Sequence, residues 1–219
     1  QRPFPAAMED CYAALLYLRQ NAEALGVRSD QIMVGGESAG GGLCAAVCIR
    51  ARDTGEINVA FQMPLYPMLD DRDTETSRDN HGRVWNTRRN HLAWRLYLRG
   101  ADRERLSPYA APARLEDFDR LPPAYSFVGD GEPFYAETVR YFERLKAAGI
   151  PAEVHSVYKS TVNLAVDGAL FSLQCAARGR TPLSLCAELS AEELAGLGIQ
   201  RGDAAFFSAD GLTLGSVFF

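Results

Sequence analysis

The chain has 219 residues, a net charge of -5 and an apolar fraction of 47%, enough for one domain with a sizeable core, or for one domain and a small appendage. An acidic balance with no basic cluster argues against nucleic acid and anionic membranes as partners, and no apolar run is long enough to insert in or span a membrane. No signal-peptide pattern opens the chain, and the five cysteines make neither a disulfide framework nor a metal set, so reduced, buried thiols and a cytoplasmic setting are expected.

Residues 5–25 place Ala14, Leu15, Leu18, Ala22 and Leu25 on one side of a helix that Pro5 opens and Gly26 closes. Residues 31–35 read as a short buried strand, and residues 41–48 as the first turns of a helix. Between them lies Gly36-Glu37-Ser38-Ala39-Gly40, of the form G-x-S-x-G, where the chain must reverse sharply. Such a turn holds the serine in a strained backbone conformation, and its flanking glycines are expected because side chains there would collide with the neighbouring strand or helix. The Ser38 hydroxyl then stands clear of the backbone. The Ala39 N–H lies at a helix N-terminus, aimed at the oxyanion that forms on attack. The plainer reading of the same residues is a glycine-rich turn that packs closely or binds an anion.

Residues 59–66 predict the next buried strand, and residues 69–120 are long, charged and partly helical, with a helix over 85–98. Residues 124–129 read as a core strand ending in a turn, and residues 135–148 as a helix amphipathic through Val139, Phe142 and Leu145 and ended by Gly149. Residues 152–158 close the sheet. Strands alternating with helices in this way predict an α/β chain with a mainly parallel sheet. After 158 the text changes: 162–175, 182–189 and two segments within 202–219 read as strands, and Ser190-Ala191-Glu192-Glu193 is a capping-box start to a short helix.

Several motifs, in order, resemble the hormone-sensitive-lipase-like branch of the α/β-hydrolases: Pro3-Phe4-Pro5-Ala6-Ala7-Met8-Glu9-Asp10, Gly35-Gly36-Glu37-Ser38-Ala39-Gly40-Gly41-Gly42-Leu43, Pro64-Leu65-Tyr66-Pro67-Met68-Leu69-Asp70, Ser107-Pro108-Tyr109-Ala110-Ala111-Pro112, Leu121-Pro122-Pro123-Ala124-Tyr125 and Glu132-Pro133-Phe134. The resemblance covers residues 1 to about 158 and implies a partial α/β-hydrolase fold over 1–158, with 69–120 contributing a cap, and an unrelated, β-rich tail over 159–219. It also implies a serine esterase or lipase acting on small carboxylic esters through a Ser, Asp or Glu, and His triad, without a cofactor. Ser38 is then the nucleophile and Ala39 part of the oxyanion hole. The resemblance puts the acid at Glu132; Asp130, two residues earlier in the same turn, is the alternative. A capping role for both carboxylates at the next helix is the structural reading.

Two parts of the family pattern are missing. The His-Gly-Gly loop that completes the oxyanion hole lies upstream of anything in this chain, which begins with Gln1 and reads as a fragment or a processed product. The catalytic His is due about eight residues after Glu153-Val154-His155, yet none of the three histidines follows His155. His155 reads as a strand residue, His91 as a helix surface residue and His81 as part of a polar loop. Without a base, a serine hydroxyl is a weak nucleophile. The expectation is therefore a carboxylic ester hydrolase with little or no turnover as this chain, or a non-catalytic binding protein of the same fold. The abrupt change after 158 reads as a frame shift, a divergent ending, or a faint similarity to the small β-barrel appendages of transporter ATPases.

Overall fold

A computed structural model of the chain describes residues 2–82 and 84–157, together with the backbone of four three-residue strands beyond them. The chain divides into two compact units, Gln1–Val157 and Tyr158–Phe219. In the first unit β1 (Ile32–Glu37), β2 (Val59–Leu65), β3 (Ala124–Gly129) and β4 (Ala152–Val157) form one sheet in the order β1-β2-β3-β4, every pair parallel. Helices α1 (Ala6–Gln20), α2 (Ala39–Thr54), α3 (Thr87–Tyr97) and α4 (Tyr135–Ala147) occupy the connections expected of an α/β chain.

Strand periodicity decides where the core lies. Ile32, Gln62, Ala124, Ser126 and Val128 are buried on one face. There α2 supplies Ala45 and Ile49, and α4 supplies Tyr141, Phe142 and Leu145. Helix α1 packs beside α2 through Met8, Tyr12 and Leu15. This face of α1 differs from the expected one: Ala14 and Leu25 are exposed, the helix ends at Gln20, and Tyr12 anchors it by donating to Glu56 Oε2 at 2.9 Å. The alternate residues Met33, Phe61, Met63, Tyr125, Phe127 and His155 lie on the opposite face, where Met33 is 57% exposed.

Inside the sheet, Pro64 lies on a central strand and cannot donate to its neighbour. Its carbonyl is satisfied instead by the buried Ser126 hydroxyl at 2.6 Å. Buried Gln62 ties the sheet to the 121–123 turn by donating from Nε2 to the Pro122 carbonyl at 2.9 Å. Helix α3 starts at Thr87, two residues inside the predicted start, with the N-cap Asn86 side chain accepting the Arg89 N–H. Cys44 and Cys48 are buried, as expected of reduced thiols, whereas Cys11 is exposed.

The second unit contains two antiparallel pairs, β5 (Leu173–Cys175) with β6 (Leu183–Leu185), and β7 (Ala204–Phe206) with β8 (Gly215–Val217). These strands fall inside the strand-rich segments predicted from sequence. The helix expected at 190–193 lies outside the described residues.

Candidate active site

The ends of four parallel strands meet at one edge of the sheet, where open α/β sheets place their ligands. At that edge Ser38 sits between the last residue of β1 and the first of α2, with φ 54° and ψ -118°. This is the backbone of the first central position of a type II′ turn, a left-handed conformation that glycine adopts freely and other residues adopt at a cost of about 1–3 kcal/mol. Three hydrogen bonds hold it. Its N–H donates to the Leu65 carbonyl at 3.0 Å, and its carbonyl accepts the Gly42 N–H at 3.1 Å and the Met68 N–H at 3.0 Å. The elbow is thus locked to the loop that leaves β2, and Ala39 begins α2 with its N–H among the unpaired donors of a helix N-terminus.

Glycine is required at three nearby positions for lack of space, Gly36, Gly42 and Gly41; a Cβ on Gly41 would stand 2.8 Å from the Pro67 Cβ. A Cβ on Gly36 would stand 2.2 Å from the Gly40 carbonyl oxygen, and one on Gly42 would stand 2.2 Å from that of Met68. Gly40 corrects the expectation that both glycines of the motif avoid a collision, because a Cβ there meets nothing within 4 Å. Tyr66 also has a positive φ, 33°. Its hydroxyl donates to Glu37 Oε2 at 2.8 Å, and burial, followed by that carboxylate, pushes its pKa up to about 12.

The candidate acids stand beyond β3. The Asp130 N–H donates to the Val157 carbonyl at 3.0 Å, which joins the turn to the end of β4. Glu132 is partly buried. Burial raises its pKa, and the Gly129 N–H donating to its carboxylate works against the rise. The N-cap residue of α4 is Phe134, neither of the two carboxylates. Ser38 follows β1 and Glu132 follows β3, strands two places and roughly 10 Å apart in the sheet.

Each of the three histidines is paired with a carboxylate other than Asp130 and Glu132. His155 lies inside β4, in register with Phe127, and its Nε2 is 2.6 Å from Glu153 Oε1. Three strand spacings, roughly 14 Å, separate its strand from that of Ser38. His91 pairs with Asp73 Oδ1 at 2.7 Å, and His81 with Asp79 Oδ1 at 2.9 Å. Among the described residues no group of His, Cys, Asp and Glu could hold a metal ion, and no helix is long and apolar enough to cross a membrane.

The residue that sequence reasoning missed is Glu137 on α4. It is 2% exposed, and its Oε1 accepts the Leu69 N–H at 2.6 Å and the Asp70 N–H at 3.2 Å. Its Oε2 has no partner among the described residues, and burial pushes its pKa up to about 8 against the pull of the two N–H donors. The loop it holds is the one whose Met68 N–H supports Ser38. The signal was present in the helical period: Glu137 precedes Tyr141 and Leu145 by one and two turns, on the buried face of α4.

A strained serine between a parallel strand and a helix is the arrangement found in α/β-hydrolases. The family model described as alpha/beta hydrolase fold matches residues 1–162. Among the relatives, Esterase LipI of Mycobacterium tuberculosis is 34% identical over 158 residues, covering 71% of this chain and 49% of LipI. Bacterial Heroin Esterase has a structure that superposes with a TM-score of 0.69 at 38% identity, covering 76% of this chain and 56% of that one. Esterase LipW from Mycobacterium marinum superposes with a TM-score of 0.67 at 33% identity, covering 71% and 49%. The chain belongs to the α/β-hydrolase family, in its hormone-sensitive-lipase-like esterase branch. It spans about half the length of the curated relatives it matches. A second model, described as AllH family N-terminal domain, matches residues 131–218.

Proposed function

We propose that the chain carries the nucleophile and acid of a serine carboxylic ester hydrolase acting on small-molecule esters, and that it turns over little by itself. The reading rests chiefly on the Ser38 backbone, a conformation of appreciable cost held by three hydrogen bonds at a strand-to-helix junction. In the reaction Ser38 Oγ attacks the ester carbonyl, and the Ala39 N–H stabilises the oxyanion. An imidazole oriented by Glu132 takes the serine proton and returns it to the leaving alcohol; water then releases the acid from the acyl-enzyme. The partly buried, hydrogen-bonded Glu132 fits the orienting role, with Asp130 the alternative in the same turn.

The low turnover is supported by the histidines, each paired with a carboxylate. That same observation favours the second reading, a hydrolase-like protein that binds without catalysis. The free thiols support a reducing, cytoplasmic setting. For residues 159–219, the match of 131–218 to a second family model supports a genuine segment over a frame shift. Reading the alternative frames past His155 for a turn followed by a His tests this directly.

A chimaera tests the roles of Ser38 and Glu132. Residues 32–42 and 124–137 of this chain replace their counterparts in a complete related esterase, which supplies base and oxyanion loop. The chimaera hydrolyses a p-nitrophenyl ester. Ser38→Ala lowers kcat on the order of 10⁶-fold and Glu132→Gln on the order of 10⁴-fold, the costs of the equivalent losses in subtilisin, while Asp130→Asn changes it little. Hydrolysis that survives Ser38→Ala defeats the assignment; a collapse on Asp130→Asn but not Glu132→Gln moves the acid.

A further inference from the structure

The segment that leaves β2 touches both Ser38 and the turn that carries Glu132. At its start the Met68 N–H holds the Ser38 carbonyl at 3.0 Å, and the Glu137 carboxyl fixes the next two N–H groups, of Leu69 and Asp70. Further along, Thr76 and Asn80 are half-buried, and the Asn80 amide donates back to the Thr76 carbonyl at 3.3 Å. These two side chains grip the acid turn from both sides. Asn80 Nδ2 donates to the Gly131 carbonyl at 3.0 Å, and Thr76 Oγ1 donates to the Pro133 carbonyl at 2.9 Å.

Thr76 also caps the helix that follows. No side chain of the N-cap residue Phe134 serves α4, and the Ala136 N–H, at its second position, donates to Thr76 Oγ1 at 3.1 Å. Asn80 is itself held: its N–H donates to Thr87 Oγ1 at 2.7 Å, and its Oδ1 accepts the Gly82 N–H at 2.9 Å. Glu75, beside Thr76, pairs with Arg140 of α4. The grip bears on one side chain. A Cβ on Gly129 would stand 2.9 Å from Glu132 Oε1 and 3.2 Å from its Cγ, so the glutamate lies folded over Gly129 at the end of β3. A long side chain loses rotamer freedom in that pose, and its carboxyl would gain hydration by swinging out, so the turn beneath it has to stay closed.

We propose that Thr76 and Asn80 are positioning residues for the acid: by fixing the carbonyls before and after Glu132 they hold its carboxyl over Gly129. One stretch of chain, 68–80, then sets both the nucleophile and the acid. The catalytic meaning of this rests on the reading of Glu132 as the acid; the geometry rests on the hydrogen bonds.

The test follows the Glu132 carboxyl in the full chain by carbon-13 NMR titration of glutamate-labelled protein, its resonance being the one missing from Glu132→Gln. Burial, the larger influence, raises the Glu132 pKa, and the Gly129 N–H opposes the rise. Opening the turn admits water, so Thr76→Val and Asn80→Ala each move the titration down toward the ordinary carboxylate value, and the double variant moves it furthest. Thr76→Ser, which keeps the hydroxyl, titrates as wild type. Tyr12→Phe loses the phenol's hydrogen bonds with Thr54 and Glu56 in the packing of α1, which lowers stability but leaves Glu132 unmoved. Should Thr76→Val fail to fold, Asn80→Ala, which gives up half-buried hydrogen bonds, decides. The proposal is overturned if Glu132 titrates as in wild type in the folded variants, if Tyr12→Phe shifts it equally, or if Thr76→Ser behaves as Thr76→Val. Because the titration reads the carboxyl and not turnover, its failure is distinct from a chimaera result that moves the acid to Asp130.

Discussion

The ends of β1 and β4 form a contrast within one sheet. At the end of β1 the chain spends strain and three backbone hydrogen bonds on one serine. At the end of β4 the nearest histidine is turned to its own strand neighbour, Glu153. The Ser38 turn is set by backbone hydrogen bonds that residues 36–68 make among themselves. A base must be delivered across the sheet to a point two or three strands away. The two halves of a catalytic pair can therefore be gained or lost independently.

The elbow half of this contrast breaks most sharply at its glycines. Gly36→Val drives a side chain into the Gly40 backbone and is expected to cost about 3 kcal/mol or more, a large part of the stability of an ordinary domain. Gly40→Ala, into open space at the first turn of α2, is expected to be neutral or to stabilise by up to about 1 kcal/mol. Urea denaturation of the two variants separates a steric requirement from a mere motif, and equal losses would show that the space at Gly40 is not open.

Next comes the brace behind the elbow. Glu137→Ala leaves two buried N–H donors unsatisfied, at about 1–3 kcal/mol each. Glu137→Gln keeps an acceptor and removes the titration. Because the folded-state pKa is raised from 4.5 to about 8, the folded chain keeps a proton that the unfolded chain has lost. The contribution is fully present below about pH 4.5 and is lost as pH rises to about 8, by several kcal/mol. Wild type should weaken over that window, while Glu137→Gln holds nearly level and overtakes it at the upper end. Parallel curves for the two proteins would mean that Glu137 does not titrate there.

The smallest effect is the most specific. Ser38→Gly relieves the strained backbone, worth about 1–3 kcal/mol, against about 0.5–1 kcal/mol for the extra freedom of glycine when unfolded. A net gain near 1 kcal/mol is expected, read as a higher urea midpoint. A loss would mean that Ser38 is not strained.

Much of this was legible in the sequence, and the residues say why. Ser38 and its turn are encoded locally, by a strand pattern, a glycine pair and a helix within a few residues. The same holds for α4, whose apolar period is strong. Glu137 was hidden because a lone glutamate on an amphipathic helix reads as solvated; only the N–H groups of residues 69 and 70, far away in sequence, make its burial tolerable. The face of α1 was misjudged because Tyr12, polar at its tip, carries more of the packing than Ala14.

The central claim is a serine elbow without its base. The most direct measurement is hydrolysis of p-nitrophenyl butyrate by the full chain beside its Ser38→Ala variant. The two are expected to be indistinguishable. Robust turnover lost on Ser38→Ala would contradict the account, because His81, His91 or His155, or a group from a second copy, would then have to reach Ser38.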